Sequence, residues 1–154
     1  MAAIDTYYCF KTIHIMTIKE GTRKKILRIH GSILIIIGIV LSVNSTIGTY
    51  LGVGKFSFLQ DNEFALVGLF QAYLLMGIIG VALWIGSSTA GIRKFHIIGA
   101  LAHLPPLAAN IMFLHLFTGM GMTTIAAIGT TFHCLFIGIE TVAGISASVK
   151  GGEN

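Results

Sequence analysis

The sequence contains little charge. Of its 154 residues, only 10% are Asp, Glu, Lys or Arg, whereas 55% are hydrophobic and the mean hydropathy is +0.87. A soluble globular domain carries about 25% charged residues. This composition therefore excludes a soluble domain and predicts an integral membrane protein. We expect the lipid bilayer of a cell membrane or organelle inner membrane to surround the chain, and no nucleic-acid partner.

Cysteine and proline are also scarce, with two residues of each. Cys9 and Cys134 form no CxxC pair of the kind that binds metal, and no CxxCH motif attaches a c-type haem. We expect no disulfide between them, because that bond would bury the leader in the bilayer. Cys134 is predicted to be a small buried apolar side chain.

Four long apolar runs occupy most of the chain. They are continuous, as in SILIIIGIVL, and lack the alternation of a membrane β-barrel. Each helical span needs about 20 apolar residues, so the length leaves no room for a soluble catalytic domain. The sequence predicts an all-α, four-helix transmembrane bundle over residues 26–148, between a basic leader (1–25) and a tail (149–154). The predicted spans are 26–51, 64–87, 95–117 and 123–148.

Positive charge is distributed unevenly about these spans. Nine of the ten Lys and Arg residues lie before or at the start of the first span, between the second and third, or after the fourth, whereas the opposite side has only Lys55. Because cytoplasmic loops carry the excess of Lys and Arg, both termini are predicted to be cytoplasmic or in a matrix-like compartment. The 19 glycines predict close helix packing. Candidate contact glycines are Gly48, Gly52, Gly77, Gly80, Gly138 and Gly144.

Polar side chains inside the spans recur at a spacing of seven or fourteen residues. Residues seven apart on an α-helix differ by only about 20° in direction, so each set should form one stripe. Polar groups at membrane depth usually face the bundle interior and have partners there. The residues are His96, His103 and Asn110 in the third span, His133 and Glu140 in the fourth, His30 and Asn44 in the first, and Gln71 in the second.

The rise along each helix places these residues in two layers. His103 lies about 12 Å from one end of its span and His133 about 15 Å from the opposite end. In a core of roughly 30 Å these depths coincide, so the two imidazoles are predicted to face each other. Glu140 is predicted at the depth of His30 and His96, in a second layer nearer the cytoplasm.

Two adjacent prolines follow His103 closely in the third span. Pro105 and Pro106 have no N–H to bond the carbonyls of Leu101 and Ala102, so the third helix is predicted to kink just beyond His103. Such a bend is tolerated where it is buried in protein or lines a cavity. A purely structural role for the prolines remains an alternative.

Two opposed histidines near mid-membrane suit a b-type haem, whose iron takes one imidazole from each of two helices. His103 and His133 form the first predicted axial pair, and His30 with His96 a second. Hydropathy and histidine placement are superficially similar to those of small four-helix cytochrome b anchor subunits, but the motifs of that family do not occur in order. This hypothesis predicts a subunit of an oxidoreductase complex, rather than an enzyme by itself, that exchanges electrons between a quinone and a partner protein.

Three alternatives stay open. Copper could bind His103 and His133 with Asn110 or Glu140, although HxxxH and HExxH spacings are absent. A proton or ion pathway could run through Glu140 and the histidines. A cofactor-free accessory subunit of a membrane respiratory or monooxygenase complex would use the same polar groups, with Asn44 and Gln71, for internal hydrogen bonds. No catalytic residue is predicted.

Overall fold

Four long apolar helices pack together in the structure. The computed structural model describes the backbone of residues 17–149 and the side chains of residues 17–146. Predictions about Cys9, the leader before residue 17 and the tail after residue 149 lie outside the described residues. The predicted helical architecture is confirmed, and the chain is a multi-pass integral membrane protein. The four segments long and apolar enough to cross a membrane are Glu20–Leu51, Glu63–Gly86, Ile92–Met112 and Thr123–Ile145.

The helices are named here in chain order. The loop between α1 and α2 contains a short 3₁₀ helix, Ser57–Leu59. The α-helices are α1 (Glu20–Leu51), α2 (Glu63–Gly86), α3 (Ile92–Ala102), α4 (Leu104–Met112), α5 (Leu114–Gly119) and α6 (Thr123–Ile145).

The first helix extends beyond the predicted apolar span at its amino end. Glu20 lies in the first turn and pairs with Lys24 at 2.6 Å, one turn later. A helix continues past the lipid boundary wherever its next turn is stabilised in water, and such i,i+4 pairs and an acidic first turn both favour this. At the other end Gly52 adopts a left-handed conformation (φ 63°) and its N–H donates to the Gly48 carbonyl, which terminates α1.

Close contact between α1 and α2 depends on glycines, and Gly31 and Gly80 form a reciprocal pair. A Cβ atom added at Gly31 would lie 2.5 Å from the carbonyl oxygen of Gly80, and one added at Gly80 would lie 2.6 Å from the carbonyl oxygen of Gly31. The two backbones therefore touch. Gly77 and Gly138, predicted as contact glycines, have open space where a Cβ would stand. The small apolar core beside this crossing consists of Leu27, Leu34, Leu83 and Ile92.

The third span is interrupted, as its prolines predicted. α3 ends at Ala102, His103 has φ −90° and ψ −12°, and α4 begins at Leu104 with Pro105 in its first turn. The break falls at His103 itself rather than beyond it. Proline is compatible with the first turn of a helix, where its missing N–H has no intrahelical partner, so the prolines start a new helix instead of ending the old one.

Two short strands were not predicted. β1 (Thr17–Lys19) and β2 (Ala147–Val149) pair in parallel, with Thr17 opposite Ala147 and Lys19 opposite Val149. The predicted end of the fourth span at residue 148 is therefore corrected, because α6 ends at Ile145 and the chain becomes extended. The pairing places the start of α1 and the end of α6 on the same side of the bundle.

Candidate functional site

Five ionisable side chains are hydrogen-bonded in a row through the centre of the bundle. We call this row the His–Glu network. His96 Nδ1 lies 2.5 Å from Glu140 Oε2, and Glu140 Oε1 lies 2.5 Å from His30 Nδ1. His30 Nε2 is 2.8 Å from His103 Nε2, and His103 Nδ1 is 2.9 Å from His133 Nδ1. In order along the row, the members are His96, Glu140, His30, His103 and His133.

Three helices, α1, α3 and α6, contribute to the row, whereas α2 contributes none of its members. α1 presents His30 between Leu27 and Leu34, and α6 presents His133 and Glu140 two turns apart. α3 supplies His96. His103 is the junction residue between α3 and α4, and both its ring nitrogens bond to histidines of other helices. The helix break therefore lies at the member that joins the two halves of the row.

The row is almost completely shielded. His30, His96 and Glu140 are 0% exposed and His103 is 5% exposed, whereas His133 is partly exposed. Glycine makes room for the carboxylate, since a Cβ at Gly99 would stand 3.1 Å from Glu140 Cδ. Burial at this level demands that every polar atom find a partner, and the row supplies most of those partners.

Phe136 fills the space beside the central rings. Its ring stacks on His30 at 4.1 Å between centroids and on His103 at 5.3 Å, with interplanar angles of 14° and 11°. Phe136 lies three residues after His133 and four before Glu140, on the same face of α6. An aromatic residue at that position fixes the orientation of both imidazoles.

The structure brings together most of the residues predicted from the sequence. His103 contacts His133, and Glu140 bridges His30 and His96, which correspond to the two predicted layers. Asn110 lies outside the row, and its Nδ2 donates to Thr130 Oγ1 at 3.4 Å.

Three predicted interior positions are corrected. Asn44 is exposed and donates to the Val40 carbonyl of its own helix at 2.8 Å, and Gln71 and Cys134 are also exposed. Fourteen residues accumulate a drift of about 40°, which turns Asn44 away from the face of His30. A lone Gln71 in an apolar helix defines no stripe. Cys134 follows His133 directly, so it points to a different side of α6.

Sequence reasoning missed the contact between His30 and His103. Depth along the helix axis assigned them to different layers, but an imidazole extends from the backbone far enough to join neighbouring layers. The buried position of Phe136 was missed as well. Its spacing from His133 and Glu140 was the available signal. The buried guanidinium of Arg23, 3% exposed, had no signal, because it lies among other basic residues at a span end.

The fit of the predicted cofactors can be tested on these distances. A metal ion between two imidazole nitrogens separates them by two bonds of about 2 Å each, whereas the Nδ1 atoms of His103 and His133 are 2.9 Å apart. Haem binding there requires the two rings to separate and Phe136 to move. Within residues 17–146, no three His, Cys, Asp or Glu side chains are arranged to hold a metal ion. Haem b and copper both stay predictions.

The hydrogen-bond directions in the row are mutually consistent. An ionised carboxylate only accepts, and a neutral histidine has one donor and one acceptor nitrogen. If Glu140 is ionised, His96 and His30 donate to it from Nδ1. His30 Nε2 then accepts from His103, and His103 Nδ1 accepts from His133. One assignment of tautomers thus satisfies all four bonds, and every donor points toward Glu140.

Comparison of the chain with protein-family models, with curated proteins and with solved structures gives no match. Function is therefore inferred from the geometry of the His–Glu network, the distribution of charge and the membrane-spanning architecture.

Proposed function

We propose that this chain is a small, cofactor-free accessory subunit of a membrane respiratory or monooxygenase complex. The observation that carries this proposal is that His30 and His103 use both ring nitrogens, and His96 and His133 one each, in hydrogen bonds to other members of the row. In each predicted axial pair, one histidine (His103 or His30) therefore has both ring nitrogens engaged within the protein. The network then serves to join α1, α3 and α6 at membrane depth.

The cytoplasmic location of both chain ends is part of this proposal. Basic residues cluster at the start of α1 and the start of α3, whereas the loop between α1 and α2 has Lys55 with Asp61, and Glu63 begins α2. This asymmetry is typical of a positive cytoplasmic side. In that orientation His96 lies nearer the cytoplasm and His133 nearer mid-membrane.

A role within a larger assembly is supported by the small size of the segments outside the membrane. The described connections between spans are short, at residues 52–62, 87–91 and 113–122. They offer no extramembrane domain that could bind a substrate. α2 packs along α1, but at most about a third of any of the four spans is buried within the described chain. The outward apolar faces are available to lipid and to helices of partner subunits.

A redox function is the second candidate. It is favoured by the convergence of His103 and His133 from different helices near the level expected for a b-type haem. In this alternative the two rings open to admit the macrocycle, and the subunit exchanges electrons between a quinone and a partner protein.

Optical spectra and metal analysis of the purified protein separate the two candidates. We expect a folded protein with no haem b band in the dithionite-reduced minus oxidised spectrum and no stoichiometric metal. A haem band that is lost in His103→Ala and retained in His115→Ala would establish the redox candidate instead. His115 is a suitable control because it is an exposed histidine outside the row.

Membership of a complex is tested by gentle solubilisation of native membranes. The full chain should migrate with other membrane subunits on a native gel. Recovery solely as a free chain under conditions that preserve known respiratory complexes would contradict the accessory role.

A further inference from the structure

The His–Glu network has one open end and one closed end. His133 is the only member of the row with partial exposure. At the other end, Nε2 of the fully buried His96 has no hydrogen-bond partner among the described residues. We infer that Glu140 is a buried proton-storage site, and that it exchanges protons, through His133, His103 and His30 in turn, with water that reaches His133 along the polar side chains of Asn110 and Thr130. This inference rests on the proposed function, because it requires a network free of haem and metal.

The transfer uses the hydrogen bonds already present. Neutral imidazole can accept a proton at one nitrogen while releasing one from the other, which makes a row of histidines a suitable relay. The three bonds from His133 to Glu140 measure 2.9, 2.8 and 2.5 Å. No side chain has to move to bring a donor within reach of its acceptor.

The step balances as the uptake of one proton. Hydronium delivers a proton to Nε2 of His133 and becomes water. The proton on Nδ1 of His133 then passes to Nδ1 of His103. His103 releases its Nε2 proton to Nε2 of His30, and His30 releases its Nδ1 proton to Oε1 of Glu140. Three imidazoles have changed tautomer, Glu140 is a neutral carboxylic acid, and the charge of the row has risen by one.

The surroundings of Glu140 are suited to holding either state. His30 faces it from α1 and His96 from α3, and α4 carries no ionisable side chain. Arg23 lies on the same buried face of α1, seven residues before His30 and about 10 Å nearer the helix start. Two imidazole N–H donors stabilise the ionised form, while complete burial favours the neutral form. A partner subunit whose redox chemistry consumes or releases protons would use such a store.

Polar groups continue from the open end toward the opposite side of the membrane. Thr130 lies one turn from His133 along α6, and Asn110 lies seven residues beyond His103. The two side chains are hydrogen-bonded to each other at 3.4 Å and are both partly buried. They offer hydrogen-bonding sites to water on the approach to His133.

The direct test is infrared difference spectroscopy of the full chain in lipid nanodiscs after an acid jump. Protonation of Glu140 should produce a carboxylic C=O band that shifts in D₂O and is absent in Glu140→Gln. In His103→Phe, which keeps an aromatic ring but removes both ring nitrogens, the band should appear much more slowly than in the wild type. In His115→Phe, which removes an exposed histidine outside the row, the rate should be unchanged.

Three results would overturn the inference. They are absence of the Glu140 band in the wild type at every pH at which the protein stays folded, an unchanged rate in His103→Phe, and an equal slowing in His103→Phe and His115→Phe. Equilibrium band amplitude checks that each variant retains its carboxyl site, and His115→Phe controls for loss of a histidine outside the row. If His103→Phe does not fold, His133→Phe interrupts the same path at its open end and must show the same slowing.

Failure of this inference is distinguishable from failure of the proposed function. A haem or metal found in the purified protein removes both. A cofactor-free protein in which Glu140 exchanges protons at the same rate with and without His103 retains the accessory role and its structural network, and removes only the relay.

Discussion

Glu140 is the residue on which the interior depends most. It accepts hydrogen bonds from His30 and His96 at 2.5 Å each and is 0% exposed. Hydrogen bonds to charged groups contribute about 1.5–3 kcal/mol each in proteins, and a buried donor left without its acceptor loses that and its hydration. One carboxylate thereby determines the orientation of imidazoles on two other helices.

Removal of this carboxylate should destabilise the fold. Glu140→Ala leaves two buried Nδ1–H groups without acceptors, so we expect the free energy of unfolding to fall by about 1–3 kcal/mol. Titration of the detergent-solubilised protein with a denaturing detergent measures this change. Gln71→Ala, at an exposed polar position, should have little effect, and equal losses in the two variants would show that Glu140 has no special structural role.

At the scale of single residues, periodicity in the sequence predicted which histidines share a face, and spacing predicted which lie at one depth. It could not predict the contact of His30 with His103, because axial depth says nothing about how far a ring reaches across the bundle. Periodicity also could not show that Asn44 lies outside the bundle interior. The effect of the angular drift over fourteen residues depends on which face of α1 is packed against the other helices.

At the scale of elements, the crossing of α1 and α2 is determined by backbone contact rather than by large side chains. Gly31 and Gly80 are reciprocal, as each glycine occupies space next to the carbonyl oxygen of the other. Overpacking at such a contact typically costs about 1–3 kcal/mol, because the partner is backbone and cannot change rotamer.

A matched pair of substitutions on α2 tests this contact. Gly80→Ala should lower the free energy of unfolding by about 1–3 kcal/mol. Gly77→Ala, one turn earlier with open space at the Cβ position, should be neutral or slightly stabilising because alanine favours the helix. Denaturing-detergent titration of both variants provides the comparison. A larger loss for Gly77→Ala than for Gly80→Ala is the result that this packing does not allow.

The positions of the helix ends could not be predicted from hydropathy alone. Apolar runs locate the membrane-crossing part, whereas α1 begins earlier because Glu20 and Lys24 stabilise an additional turn in water. The prolines predicted an interruption of the third span, but its position depended on their compatibility with a new first turn. The pairing of β1 with β2 has no local signal, since it joins segments from opposite ends of the chain.

At the scale of the whole molecule, composition and charge predicted an even number of spans, and the described ends of the chain lie side by side through β1 and β2. The span count needed only length and apolarity, which is why it survives comparison with the structure. Which helices touch could not be obtained in this way, because lipid-facing and protein-facing apolar residues have the same composition.

The orientation proposed from the positive residues can be measured in intact cells. In a background with Cys9→Ser and Cys134→Ala, a membrane-impermeant maleimide should label Lys55→Cys and leave Lys94→Cys unlabelled until the membrane is opened. The reason is that Lys55 lies on the side with few positive charges and Lys94 on the side with many. The reverse labelling pattern would place the termini on the other side.

The measurement that tests the account most directly is nitrogen NMR of the full chain with ¹⁵N-labelled histidine. Coupling across the N–H···N bond between His103 Nδ1 and His133 Nδ1 should be observed in the purified protein and should disappear in His133→Phe. Signals from these two rings without any mutual coupling, or shifted to the values of metal-coordinated nitrogen, would contradict a row of histidines bound to one another and to Glu140.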